Sequence, residues 1–520
     1  MIKKILAVGL FFNGMFSGIF AQAYSWEKLP VAQLPSFKKD TINIKTFGAK
    51  NDGVTLNTKS INSAIAAISK KGGGVVVVPE GIWLTGPVEM QSNVNLHLKA
   101  GSMLLFTKDF DQYPLVEGFY EGRRAARNQS PVYGTNLTNI AITGKGVVDG
   151  NGDVWRMVGR DRLTASEWKK KVASGGMVSA DEKLWYPSAK TKKAHEEKRS
   201  MLLEPGKSLT DFEDIKDYLR PNLIVFINCN RVLLEGVTFQ NSPAWNLHPI
   251  MCSNITLKNV TVKNPEYAQN GDGIDLESCK NFLLEDCTFD VGDDAICIKS
   301  GKDEEGRKRG MPTENGVVRN CIVYKGHGGF VVGSEMSGGA RNIFVENCLF
   351  MGTDKGLRFK TTRGRGGVVE HIYARNIFMK DIVQEAIFFD MYYFVKSPTD
   401  GERKVTPEVN EGTPVFRKVF MENIVCEGAN KGIFIRGLPE MNVQDIHMKK
   451  MTLTSKIGAE IIEGTGIYMK NITLNSTVKT PVVLVENSHE VWVKSLEHPA
   501  TDSLFELKGT PAAELKIQKN

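Results

Sequence analysis

Asn281-Phe282-Leu283-Leu284-Glu285-Asp286-Cys287, Asn315-Gly316-Val317-Val318-Arg319-Asn320-Cys321 and Asn342-Ile343-Phe344-Val345-Glu346-Asn347-Cys348 are three copies of one pattern. A polar residue opens each copy and apolar residues alternate behind it. Asn or Asp stands five places on, followed by a small apolar residue. Asn254 to Asn259-Val260, His371 to Asn376-Ile377 and Lys418 to Asn423-Ile424 fit the same pattern. From 254 to 281, 315, 342, 371 and 418 the steps are 27, 34, 27, 29 and 47 residues. Short strands and turns repeating at such a period describe a solenoid in which each turn buries its apolar face on the next. Asparagine at the turns tolerates left-handed backbone and can hydrogen-bond from coil to coil. A string of separate β-sandwiches would show no common register. The fold expected is all-β: a single-stranded right-handed parallel β-helix.

The eight cysteines fit this frame. Cys287, Cys321 and Cys348 share a slot with Val260, Ile377 and Ile424. Cys229, Cys252 and Cys279 share another, two residues ahead of the repeat start. A ladder of small apolar thiols is expected rather than a disulfide framework, with a bridge between neighbouring coils as the alternative.

Ahead of the repeat, Asn57 or Thr58 can cap a helix whose apolar residues are Ile61, Ala64, Ile65 and Ile68, ended by Gly72-Gly73-Gly74. Val75 to Val78, the alternating Val94, Leu96 and Leu98, and Ile140 with Ile142 read as strands. A short amphipathic helix ahead of many strands can cover the open end of the stack. From about 153 to 219 the chain turns charged and loses strand alternation, with helical patches such as Ser166 to Ala173. This reads as an insertion, either a plain surface excursion or a wall over a site.

The first 23 residues have the form of a secretory signal peptide. Lys3 and Lys4 supply the positive end, Ile5 to Phe20 the apolar run, and Ala21-Gln22-Ala23 a cleavage site. A single domain over 24–520 is expected, exported to the periplasm or beyond, without a membrane anchor and as a monomer. The formal charge is +7, and removing two lysines with the leader leaves +5. This mild excess permits an acidic partner and gives no sign of a nucleic-acid surface.

Within the repeat lies an unusual set: Asn270-Gly271-Asp272, Gly292-Asp293-Asp294, Gly326-His327-Gly328 and Arg358-Phe359-Lys360. The steps from 272 to 293, 293 to 327 and 327 to 358 are 21, 34 and 31 residues, each near one coil. Residues one coil apart stand roughly 4.8 Å apart, so the set is expected to line one groove. Carboxylates crowded together do not all ionise, and one is pushed towards its protonated form. Glycosidic cleavage needs that division into acid and base. A histidine can tune the acid. Arg358 and Lys360 alternate with Phe359, so on a strand both face one side and suit a carboxylate-bearing sugar. Each piece alone reads as an ordinary turn, loop or solvated face; their order and spacing together do not.

These four motifs, in this order, resemble the signatures of glycoside hydrolase family 28, the polygalacturonases. The resemblance extends from Phe47-Gly48-Ala49 through Ser242-Pro243-Ala244-Trp245 to Gly437-Leu438-Pro439-Glu440. Gly333-Ser334-Glu335 and Gly364-Arg365-Gly366-Gly367 look most like the bacterial branch that includes exo-acting enzymes. The resemblance implies a pectin-lyase-like β-helix and inverting hydrolysis of α-1,4-galacturonosyl linkages, without cofactor or metal. It implies Asp293 as general acid, Asp272 and Asp294 as the pair that holds and activates water, and His327 as support for the acid. For the substrate it implies Arg358 and Lys360 on the galacturonate carboxylate, with Asn270, Tyr393 and His248 as further contacts. Tyr392 is nearly as good a candidate as Tyr393. Gly271 and Phe359 depart from the threonine and isoleucine of the family signatures, and neither change removes a reacting group. A calcium-dependent pectate lyase and a non-catalytic glycan-binding β-helix are the alternatives. The former needs clustered carboxylates and a cationic base, and the latter has no need of the ordered aspartates.

Overall fold

Alternating inward side chains dictate what the chain does between turns, and the computed structural model shows where the turns fall. It describes residues 24–395, 406–509 and 514–518; the leader lies outside these. The coil strands pair in parallel into one right-handed stack of 33 strands. Three columns recur. One holds Asn230–Glu235, Ser253–Lys258, Lys280–Glu285 and Thr313–Arg319. A second holds Thr238–Gln240, Thr261–Lys263, Thr288–Asp290 and Ile322–Lys325. The third holds Ile224–Ile227, Leu247–Ile250, Ile274–Glu277, Asp294–Lys299, Gly328–Val332 and Lys355–Lys360.

The turn asparagines explain the register. Asn254, Asn259, Asn281, Asp286, Asn315, Asn320, Asn342 and Asn347 all have φ between 51° and 60°, a region few residues other than Asn, Asp and Gly enter readily. Their side chains bond along the stack: Asn342 Nδ2 to Asn315 Oδ1 at 3.1 Å, Asn376 to Asn347 at 2.9 Å and Asn423 to Asn376 at 2.7 Å. Val260, Cys287, Cys321, Cys348, Ile377 and Ile424 form a column that is at most 1% exposed. All eight thiols are free and buried, packed as small hydrophobes.

The helix Thr58–Lys70 closes the first coils, with Ile61, Ala64, Ile65 and Ile68 buried in the same core. Asn57 takes the capping position but does not cap with its side chain. Its Oδ1 accepts from Lys50 N–H and its Nδ2 donates to the Lys50 and Leu84 carbonyls, tying a loop instead.

Two features stand outside the coil. An antiparallel hairpin, Leu115–Tyr120 with Arg123–Asn128, rises over the third column; nothing in the sequence pattern announced it. Residues 153–219 contribute no strand to the stack. They carry helices Ala165–Ala173 and Ala189–Glu196, a 3-10 stretch Leu209–Tyr218 and a small three-stranded sheet. Ala194, Phe212, Ile215 and Leu219 pack on Ala126 of the hairpin, so the segment buttresses it.

Candidate active site

The outward face of the third column carries the polar set. Ile274, Ile296 and Ile298 point into the core, so Asp275, Cys297 and Lys299 point out on the groove side. The strand offset from 274 to 296 is 22, which stacks Asp272 on Asp294 rather than on Asp293. The offset from 294 to 328 is 34, which stacks Asp293 on His327. The offset from 330 to 357 is 27, so Asp354 rather than Arg358 follows His327. Arg358 lies four residues further along its strand. The expected stacking of Arg358 on His327 is therefore corrected: length of side chain, not register, brings Arg358 to the site.

Asp294 is 1% exposed and closely paired. Arg358 donates to its Oδ1 at 2.7 Å and Lys360 to its Oδ2 at 2.6 Å. Burial works against its charge, but Lys360, Arg358 and Lys299 outweigh that and hold it well below the usual carboxylate range. Asp293 accepts two bonds on Oδ1, from the Asp294 N–H at 2.9 Å and from His327 Nδ1 at 3.0 Å. Neither uses Oδ2. The bond to Asp293 raises the His327 pKa, against its partial burial. Asp272 is 2% exposed; its nearest cation is Lys299 at 3.7 Å, and its Oδ1 has no hydrogen-bond partner. Burial first, then Asp275 and Asp293, push its pKa well above the usual range. An oxygen of Asp272, an oxygen of Asp294 and the Cys297 sulfur lie within 4.8 Å of one another.

The Tyr393 ring covers the two cations, 4.8 Å from Lys360 Nζ and 5.7 Å from Arg358 Cζ. Tyr392 sits instead between Arg363 and Arg436. Asn270 turns its Oδ1 to Arg220 at 2.8 Å. His248 is buried in the floor with both ring nitrogens engaged, Nε2 by Glu277 at 2.9 Å and Nδ1 by Asn222 at 3.1 Å. Asp272, Asp293, Asp294, His327, Arg358, Lys360 and Tyr393 thus converge, while Asn270 and His248 stand at the margin.

Several participants escaped the sequence reading. Lys299 sits beneath Asp272 with Asp275, Glu335 and Trp245 around it. The alternation of Ile296, Cys297, Ile298 and Lys299 was the available signal, since it puts Lys299 on the same side as Asp275. At the N-terminal end of the groove, Glu117, Phe119, Arg127, Tyr133, Asn222 and His248 line a cavity of about 180 Å3 under the hairpin. The hairpin is tied down on its far side: Lys302 reaches Glu121, Arg309 bonds the Gly122 carbonyl at 3.0 Å, and Glu305 accepts from Arg124 N–H at 2.9 Å.

Known proteins share this design. The chain matches the model of glycosyl hydrolases family 28 over residues 211–463 and that of rhamnogalacturonase A/epimerase, pectate lyase-like, over 41–171. It is 29% identical over 452 residues to a probable polygalacturonase of Vitis vinifera, covering 85% of this chain and 80% of that protein. It is 28% identical over 416 residues to an exo-poly-alpha-D-galacturonosidase of Dickeya chrysanthemi, covering 76% of this chain and 64% of that protein. Among solved structures, the hyperthermoactive exopolygalacturonase from Thermotoga maritima superposes with a TM-score of 0.69 at 33% identity, over 85% of this chain and 93% of that one. With a relative of that identity covered almost end to end, and the four motifs meeting in one groove, this chain belongs to family 28 of the glycosyl hydrolases and is a glycoside hydrolase.

Proposed function

We propose that the protein hydrolyses α-1,4-galacturonosyl linkages of pectin from a chain end, with inversion. The observation that carries this reading is the unequal treatment of three neighbouring aspartates beside two cations. Asp293, as general acid, delivers a proton from Oδ2 to the glycosidic oxygen as the bond to the anomeric carbon breaks. Water between Asp272 and Asp294 attacks that carbon from the opposite side. Asp294, fixed as a carboxylate by Arg358 and Lys360, orients the water. Asp272 has the more basic carboxylate and takes the water's proton. Asp293 is one of the like charges that raise Asp272, so the two carboxyls act as a coupled pair rather than as independent groups. His327, whose side chain is 48% exposed, returns a proton from solvent to Asp293 between turnovers.

Arg358 and Lys360 receive the sugar carboxylate on the side away from Asp294, under the Tyr393 ring. Arg358 Nε is buried and has no hydrogen-bond partner among the described residues. Asn270 and His248 shape the groove through Arg220, Asn222 and Glu277. Chain-end action is supported by the hairpin and its buttress, which wall off the groove beyond the cavity at Arg127 and Asn222. No helix among the described residues is long and apolar enough to cross a membrane. The leader-like first 23 residues support a single exported hydrolase domain over 24–520.

Product chromatography on homogalacturonan and on rhamnogalacturonan fractions tests the reading. A single small product from homogalacturonan is expected, insensitive to chelator and without unsaturated-uronide absorbance. A ladder of oligomers overturns chain-end action. Unsaturated products lost on adding chelator overturn hydrolysis.

A further inference from the structure

Lys299 ends the strand Asp294–Lys299 and is 5% exposed. Its Nζ is 3.2 Å from Glu335 Oε2, 3.3 Å from Asp275 Oδ1 and 3.7 Å from Asp272 Oδ2. It lies 4.0 Å from the centre of the Trp245 ring. These partners come from the coils before and after. Trp245 adjoins the column's earlier strand, Asp272 precedes and Asp275 lies within the strand Ile274–Glu277, and Glu335 follows Gly328–Val332. The ammonium is therefore fixed from several sides. Among the described residues, no other cation lies within 4.0 Å of Asp272 or Asp275. Asp272 Oδ1 and both Asp275 oxygens lack a well-formed hydrogen bond. Such groups are costly to bury unless a nearby charge offsets them.

We propose that Lys299 is a positioning residue of the hydrolytic reaction: its buried ammonium holds Asp272 in place and sets how readily that carboxylate accepts the proton of the attacking water, while Glu335 moderates the ammonium. The proposal rests on the reading of Asp272 as the base. The groups facing Asp272 are Asp275 on its own strand and Asp293, Asp294, Cys297 and Lys299 on the next coil. His327 and Glu335 lie one coil further, and Arg358 and Lys360 reach in through Asp294. Lys299 opposes the carboxylates directly. Burial would lower its pKa, but Glu335, Cys297, Asp275 and Asp272 raise it well above the ordinary lysine value. The same cation pulls against the burial that lifts Asp275 to about 7. Lys299 and Glu335 thus act on Asp272 with opposite signs.

The test compares Lys299→Met, Lys299→Arg and Glu335→Gln with wild type in pH profiles of kcat/KM on galacturonan. Loss of the cation in Lys299→Met is expected to move the acidic limb upward by about one pH unit and to lower kcat/KM on the order of 100-fold. Lys299→Arg is expected to restore the limb. Glu335→Gln is expected to move it downward. A Lys299→Met limb that coincides with wild type, whatever the rate, overturns the proposal. So does a Glu335→Gln limb that stays in place, and this variant decides alone if Lys299→Met does not fold. Thermal unfolding between pH 4 and 7 reads the same contrast without substrate. Lys299→Met is expected to lose stability with rising pH more steeply than wild type, and parallel slopes overturn the proposal. A wild type inactive on galacturonan but with the expected slopes would instead count against the assigned substrate.

Discussion

Asp272 and Asp294 stack on adjacent coils, yet their surroundings are opposite. Asp294 has one cation on each oxygen, at 2.7 and 2.6 Å. Asp272 has a single cation at 3.7 Å and an oxygen without a partner. Both are buried, so solvent does not level the difference. A repeating fold delivers equivalent backbone positions at each turn. What makes two equivalent aspartates chemically unlike is which long side chains reach them from the coils beyond. Arg358 and Lys360 come from two coils further on, and both reach Asp294.

The largest expected break in this comparison is in stability. Asp294→Asn leaves Arg358 and Lys360 buried without their counter-charge and is expected to cost about 3–5 kcal/mol. Asp272→Asn removes a carboxylate that the fold already penalises and is expected to leave stability at pH 7 unchanged or raised. Urea denaturation of the two variants measures this directly, and equal losses would contradict the contrast.

The pH dependence of unfolding sharpens it. Asp294 and Glu335 are depressed, Glu335 from 4.5 to about 2 as Lys299 and other cations outweigh its burial. Their contribution is present above about pH 4.5 and is lost as pH falls towards 2. Asp275 is raised from 3.8 to about 7. Its contribution is present below about pH 4 and is lost as pH rises towards 7. Wild type is therefore expected to be most stable between these windows. Asp275→Asn is expected to flatten the decline on the neutral side while keeping the acid one, as read by thermal unfolding across pH.

The smallest effect concerns the ring over the cations. Tyr393→Ala removes contacts worth about 0.5–2 kcal/mol. It is expected to raise KM several-fold with a smaller change in kcat, measured on galacturonan oligomers.

Much of this was legible beforehand, for definite reasons. Left-handed turns recruit asparagine, so Asn281, Asn315 and Asn342 marked the coil in the sequence itself. Aspartates that must meet across coils inherit that spacing, which exposed Asp272, the Asp293-Asp294 pair and His327 as neighbours, although the 21-residue step falls one short of the true offset of 22. The 31-residue step to Arg358 misled because it resembles a coil length, while the true offset at that turn is 27. Lys299 was passed over because a lysine ending a strand reads as a solvated end; only the groups contributed by neighbouring coils make it a buried one. The hairpin over the groove was hidden for a related reason. Leu115–Tyr120 is half-buried and the end of Arg123–Asn128 fully buried against a segment far away in sequence, and no local alternation betrays that partner.

Turnover of digalacturonate by Asp293→Asn, beside wild type and with folding verified by thermal unfolding, tests the central claim most directly. The asparagine keeps the shape and the acceptor for the Asp294 N–H but cannot supply the proton. A loss on the order of 10³-fold in kcat is expected for removing a general acid. Turnover equal to wild type would contradict the division of labour among the three aspartates.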